Sequence, residues 1–105
     1  MCQATLLSSK GTSSVSYCPK CKNHYINHVS YLLCFTNFQY DLFYKEIKNK
    51  IGNEEFLTFP NDQKKIILTS PVEEILFTFT EVEWSNFTFV LDEAYYMREV
   101  YNIIL

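Results

Sequence analysis

Cys18-Pro19-Lys20-Cys21 is the stretch whose residue types and spacing could do chemistry. Two thiols three residues apart, joined by a tight turn, can face one point. Three chemistries use that geometry. A zinc ion needs about four ligands in a tetrahedron, and this pair supplies two of them. A dithiol redox centre needs two sulfurs close enough to bond, with one thiolate stabilised. A structural disulfide is the third, and a reducing compartment disfavours it. Redox pairs normally sit at a helix start, where the dipole lowers a thiol pKa. Residues 22–29 read as extended, so that support is missing here. Cys2 adds a third sulfur. If residues 2–8 and 14–20 pair about Lys10-Gly11, Cys2 stands opposite Pro19, beside both thiols. His24 is then the expected fourth ligand, and His28 the alternative. The expected metal set is Cys2, Cys18, Cys21 and His24, and the expected cofactor is zinc. Each histidine also has an ordinary reading, as a polar residue on the solvent side of a strand. Cys34, in an apolar run, reads as a small buried hydrophobe. A single Cys-x-x-Cys without a second is a modest signal.

The elements that must position these residues are written most plainly in residues 75–91. Ile75-Leu76-Phe77-Thr78-Phe79 is a β-branched and aromatic run. Thr80 follows, with Glu83 three residues later, which is the capping-box spacing. Phe79 and Trp84 stand in staple positions around that cap. The apolar residues then take the helical period: Trp84, Phe87, Leu91, Ala94, Tyr95 and Tyr101. The same corner occurs earlier. Phe35-Thr36 corresponds to Phe79-Thr80, Gln39 to Glu83, Tyr40 to Trp84, Phe43 to Phe87 and Ile47 to Leu91. Two readings stay open: convergence on a common way to start a helix, or duplication of one strand–helix unit. Either way the two corners are expected to be alike.

Taken in order, the chain reads as strands over 2–8 and 15–17, extended backbone over 22–35, and a helix over 37–50. Strands over 55–59, 64–69 and 72–79 follow, then a helix over 81–102. Short turns between neighbouring strands imply antiparallel pairing. The expected fold is α+β: one domain with a mainly antiparallel sheet of about six strands and two helices on one face. Residues 1–51 carry the cysteine-bearing strands and the first helix; 52–105 carry the remaining strands and the second helix.

Composition narrows the function. The chain has 105 residues, the size of one domain, and its 48% hydrophobic content suits a folded core. Nine Phe and eight Tyr bury much surface per residue. With two glycines there is no phosphate-cradling loop. No apolar run approaches the roughly 20 residues of a membrane span, and no secretory signal is expected. Asn86-Phe87-Thr88 matches a glycosylation sequon, yet it falls inside a predicted helix. The first fifty residues hold six lysines against Asp41 and Glu46, a balance of +4; the rest carries −7, giving the net −3. The acids of the second helix read as a solvated face. An acidic chain without a dense basic cluster makes nucleic acid an unlikely partner. The expected partner is an unidentified protein or a second copy of the chain.

Cys2 beside Met1, Tyr17-Cys18-Pro19-Lys20-Cys21, the Phe-Thr helix start and the closing helix from Thr80 to Ala94 together resemble a family of small uncharacterised bacterial proteins. The resemblance spans most of the chain through short motifs. It implies a cytoplasmic bacterial protein and is compatible with a cysteine site. The expectation is therefore a non-enzymatic domain with a structural zinc-like or thiol site and a protein-contact role. A thiol redox or metal-handling protein using Cys18 and Cys21 is the alternative, and a nucleic-acid adaptor a weaker one.

Overall fold

A computed structural model of the chain describes residues 3–104, with the side chains of 3–103. The first strand, β1 (Thr5–Lys10), turns back into β2 (Ser13–Cys18). Gly11 makes the turn possible, since its φ is +59°, a conformation only glycine adopts without penalty. The pairing runs Lys10 with Ser13, Ser9 with Ser14 and Ser8 with Val15. A bulge then shifts it, so that Leu6 faces Ser16 and Thr5 faces Tyr17. The bulge turns both Leu7 and Ser8 inward.

The extended stretch 22–35 is a second hairpin, β3 (Asn23–His28) and β4 (Tyr31–Thr36). Its turn carries no glycine, asparagine or proline; Val29 takes it with φ +55°. β1 to β4 form one antiparallel sheet in that order. Ser13 faces His28, Val15 faces Ile26 and Tyr17 faces His24. Because side chains alternate along a strand, these six lie on one face, and Ser14, Ser16 and Cys18 lie on the other.

A second antiparallel sheet holds β5 (Leu57–Thr58), β6 (Lys64–Thr69) and β7 (Leu76–Thr80) in sequence order. The fold is therefore α+β as expected, with two sheets in place of one. β5 stops after two residues because the chain folds at once into the turn before Gln63. There the Phe59 amide donates to the Gln63 carbonyl at 2.8 Å, and Asp62 has φ +63°.

Helix α1 (Asn37–Lys50) follows β4, and α2 (Glu81–Ile104) follows β7. Each helix begins in a capping box. The Gln39 amide donates to Thr36 Oγ1 at 3.2 Å, and the Thr36 amide donates to Gln39 Oε1 at 2.9 Å. At the second corner the corresponding distances are 3.2 and 2.8 Å, between Thr80 and Glu83. The corners are alike in their caps and differ in their packing. Phe79 meets Trp84 as a staple should, with ring centroids 5.4 Å apart. Phe35 packs on Phe43 at 5.3 Å, and Tyr40 stacks on His24.

α2 lies across β1 and β2 and reaches β6 and β7, while α1 covers β3 and β4. Both helices thus sit on one face of the four-stranded sheet, and α2 joins the two sheets. Phe87 is the meeting point. Its ring lies 4.7 Å from Phe79 of the second sheet, 5.3 Å from His28 of the first and 6.2 Å from Phe43 of α1.

Candidate functional site

Residues 19–22 form the turn that follows β2. The Lys22 amide donates to the Cys18 carbonyl at 2.7 Å, which closes the turn, and Lys22 takes φ +60°. The Cys21 amide points at the Cys18 sulfur, 3.4 Å away. The spacing therefore brings Cys18 and Cys21 to one knuckle. Cys18 is a free thiol and only 1% exposed. Cys21 is disulfide-bonded. Cys34 is free and exposed, not buried as its apolar run suggested, because β4 is an edge strand. Cys2 lies outside the described residues.

Neither histidine joins the knuckle. His24 pairs with Tyr17, the neighbour of Cys18, so its side chain leaves the opposite face of the sheet. It is fully buried and stacks on Tyr40 with ring centroids 4.2 Å apart. Its Nε2 lies 3.5 Å from Arg98 Nη1, and its Nδ1 has no hydrogen-bond partner among the described residues. Burial, and then the Arg98 guanidinium, push its pKa down to about 4. His28 sits at the far end of β3, five residues or about 17 Å along the strand from Asn23, the partner of Cys18. There its Nδ1 meets the Ser13 hydroxyl at 2.9 Å. Burial lowers the His28 pKa, and the nearby Glu83 carboxylate partly offsets that. Among the described residues, no three His, Cys, Asp or Glu side chains gather as metal ligands do.

Arg98 is the residue the sequence did not single out. It reads there as one cation on an acidic helix, yet it is 5% exposed and ties α2 to α1. It pairs with Asp41 at 2.9 Å and Glu99 at 3.3 Å. Its guanidinium lies over the Tyr95 and Tyr40 rings at 5.1 and 5.9 Å. The Tyr40 hydroxyl donates to the Leu91 carbonyl at 2.7 Å. On the next turn, Asp92 accepts from Tyr44 and pairs with Lys48. Tyr44 and Lys48 hold the Asp92 carboxyl below its ordinary pKa, the Tyr44 hydroxyl most strongly. These groups fasten helix to helix. Ser13 and His28 could exchange a proton, but both are buried, so the Ser13 oxygen faces protein rather than solvent.

An apolar opening lies elsewhere, between β4 and the segment 70–77. It has a volume of about 260 Å³, and its walls are Tyr31 to Phe35 on one side and Pro71, Val72, Ile75 and Phe77 on the other. A second compartment of about 240 Å³ continues it along α1, sharing Phe35, Ser70 and Pro71 and adding Leu42 and Glu46. Tyr31, Leu32, Leu42, Val72 and Ile75 are each between 44% and 50% exposed around this cleft. The sequence signal was present but unread: apolar residues at both parities of β4 mean that neither face of that strand is simply solvent.

No protein-family model, curated protein or solved structure matches the chain. Among the described residues, no helix is long and apolar enough to cross a membrane.

Proposed function

We propose that the chain is a small non-enzymatic protein-interaction domain. Its cysteine knuckle braces the N-terminal hairpin, and its working surface is the cleft between β4 and residues 70–77. The observation that carries the reading is the set of half-exposed large apolar side chains that line one continuous opening. Large apolar groups left facing water in one contiguous patch mark a contact surface in soluble folds. A bacterial, cytoplasmic setting is part of the proposal and rests on the resemblance alone. Selection of displayed random peptides on the immobilised full chain, with a Val72→Lys variant as counter-target, tests it. Enriched peptides that lose the variant support the reading. No enrichment, or binders indifferent to Val72→Lys, overturn it.

A second reading attaches to the knuckle. A free Cys18 thiol beside a disulfide-bonded Cys21 supports thiol exchange, and in a reducing compartment the same sulfurs are available to zinc. Metal analysis of protein purified under reducing conditions tests the zinc form. Near one zinc per chain, lost on Cys18→Ser, supports it; metal-free, fully folded protein rejects it.

A further inference from the structure

We infer that the occupant of the cleft is an extended segment of a partner protein. It adds as a strand to the free edge of β4, with apolar side chains inward and basic side chains toward the rim. The inference rests on the interaction reading above and names the class of partner.

Among the described residues, four strand edges are free in the two sheets: β1 and β4 in one, β5 and β7 in the other. An uncovered edge offers unpaired amides and carbonyls to any passing chain, so folds blunt it with charge, proline, a bulge or shortness. Two of the four edges are blunted. β1 has the bulge between Leu6 and Ser8 and ends in Lys10. β5 is two residues long. The other two are not. β4 reads Tyr-Leu-Leu-Cys-Phe-Thr and β7 reads Leu-Phe-Thr-Phe-Thr, with no charge, no proline and no shift in register. Both unblunted edges border the opening. Five consecutive β4 residues line the cleft, and Leu76, Phe77 and Thr78 line its extension toward His28. Consecutive residues can line one groove only if it runs along the strand's edge, because alternate side chains leave opposite faces.

Charge decides between occupants. Glu46 lines the second compartment, and Glu73 and Glu74 stand exposed between Val72 and Ile75. Among the described residues, no lysine or arginine lines either compartment, while Lys65 and Glu83 both line the extension toward His28. A second copy pairing through its own β4 brings an uncharged strand and nothing to answer those acids. A segment alternating apolar and basic residues satisfies the backbone, the walls and the rim together. β4 spans six residues, so the paired core is about 20 Å long.

The test uses a capped Val-Lys-Val-Lys-Val-Lys-Val peptide titrated into isotope-labelled full chain and followed by amide chemical shifts. Saturable shifts in β4 and residues 70–77 are expected, with at least tenfold weaker binding to Ile75→Lys. A Val-Glu peptide and a Val-Lys peptide N-methylated at alternate residues should both fail to bind. Equal binding of the N-methylated peptide would overturn strand pairing, and equal binding of the glutamate peptide would overturn the charge argument. Shifts confined to other elements, or a stable dimer that protects the β4 amides without peptide, would overturn the assigned occupant. If the peptide fails while display-selected segments still need Val72, the interaction reading stands and only the strand is lost.

Discussion

His24 is held neutral in a place where charge would be costly. Its ring is stacked on Tyr40, its Nε2 faces a guanidinium and its Nδ1 is unpartnered among the described residues. With its pKa pushed down to about 4 in the folded chain, the unfolded chain takes up the proton first as pH falls. The stability that His24 contributes is therefore complete above its ordinary pKa near 6.5 and drains away as pH drops toward 4. Urea unfolding across that window should show a loss on the order of 2 kcal/mol that a His24→Phe variant lacks. An equal slope in both proteins would contradict the assignment. Residue identity alone made the thiols and histidines visible as candidates, and spacing placed Cys18 and Cys21 together. It did not reveal which way His24 points, because that depends on the β2–β3 register, which sets His24 against Tyr17 rather than Cys18. Arg98 was invisible for a similar reason: its partner Asp41 lies on the other helix.

At the scale of elements, the helices were the most legible part. The Thr-x-x-Gln and Thr-x-x-Glu boxes satisfy backbone donors locally, so they act wherever the helix ends up. α1 runs over the residues its pattern marked out, and α2 continues two residues further. Thr80→Ala should cost about 1 kcal/mol, read as a lower urea midpoint with an unchanged slope. A cost below a few tenths would mean that packing alone fixes the corner. The β3–β4 turn was illegible because it lacks the glycine, asparagine or proline that most plainly marks a turn. Val29 instead takes a positive φ that costs a β-branched side chain about 1–2 kcal/mol. Its amide still donates to the Thr12 carbonyl at 3.1 Å, tying one hairpin turn to the other. Val29→Gly keeps that bond and relieves the strain, so it should raise stability by about 1 kcal/mol; a loss would show that the valine side chain holds the turn.

For the molecule as a whole, composition and period pointed to an α+β domain with antiparallel strands, and the division into two sheets was hidden. That division depends on which strands find each other across long separations, and no local pattern encodes it. Phe87 joins what the division separates, touching both sheets and α1. Phe87→Ala should cost about 3–5 kcal/mol, enough to threaten a domain whose total is about 5–15 kcal/mol. Calorimetry should show a much lower midpoint, and a change under about 1 kcal/mol would mean the sheets are held together elsewhere. The same division creates the cleft, since it leaves the edges of β4 and β7 bordering one opening. Amide hydrogen exchange across β4 measures this most directly, in the full chain with and without the Val-Lys peptide. The outward amides of residues 31–36 should exchange quickly in the free protein and at least tenfold more slowly at saturation. Amides already protected in the free monomer, or unmoved by bound peptide, would contradict the account.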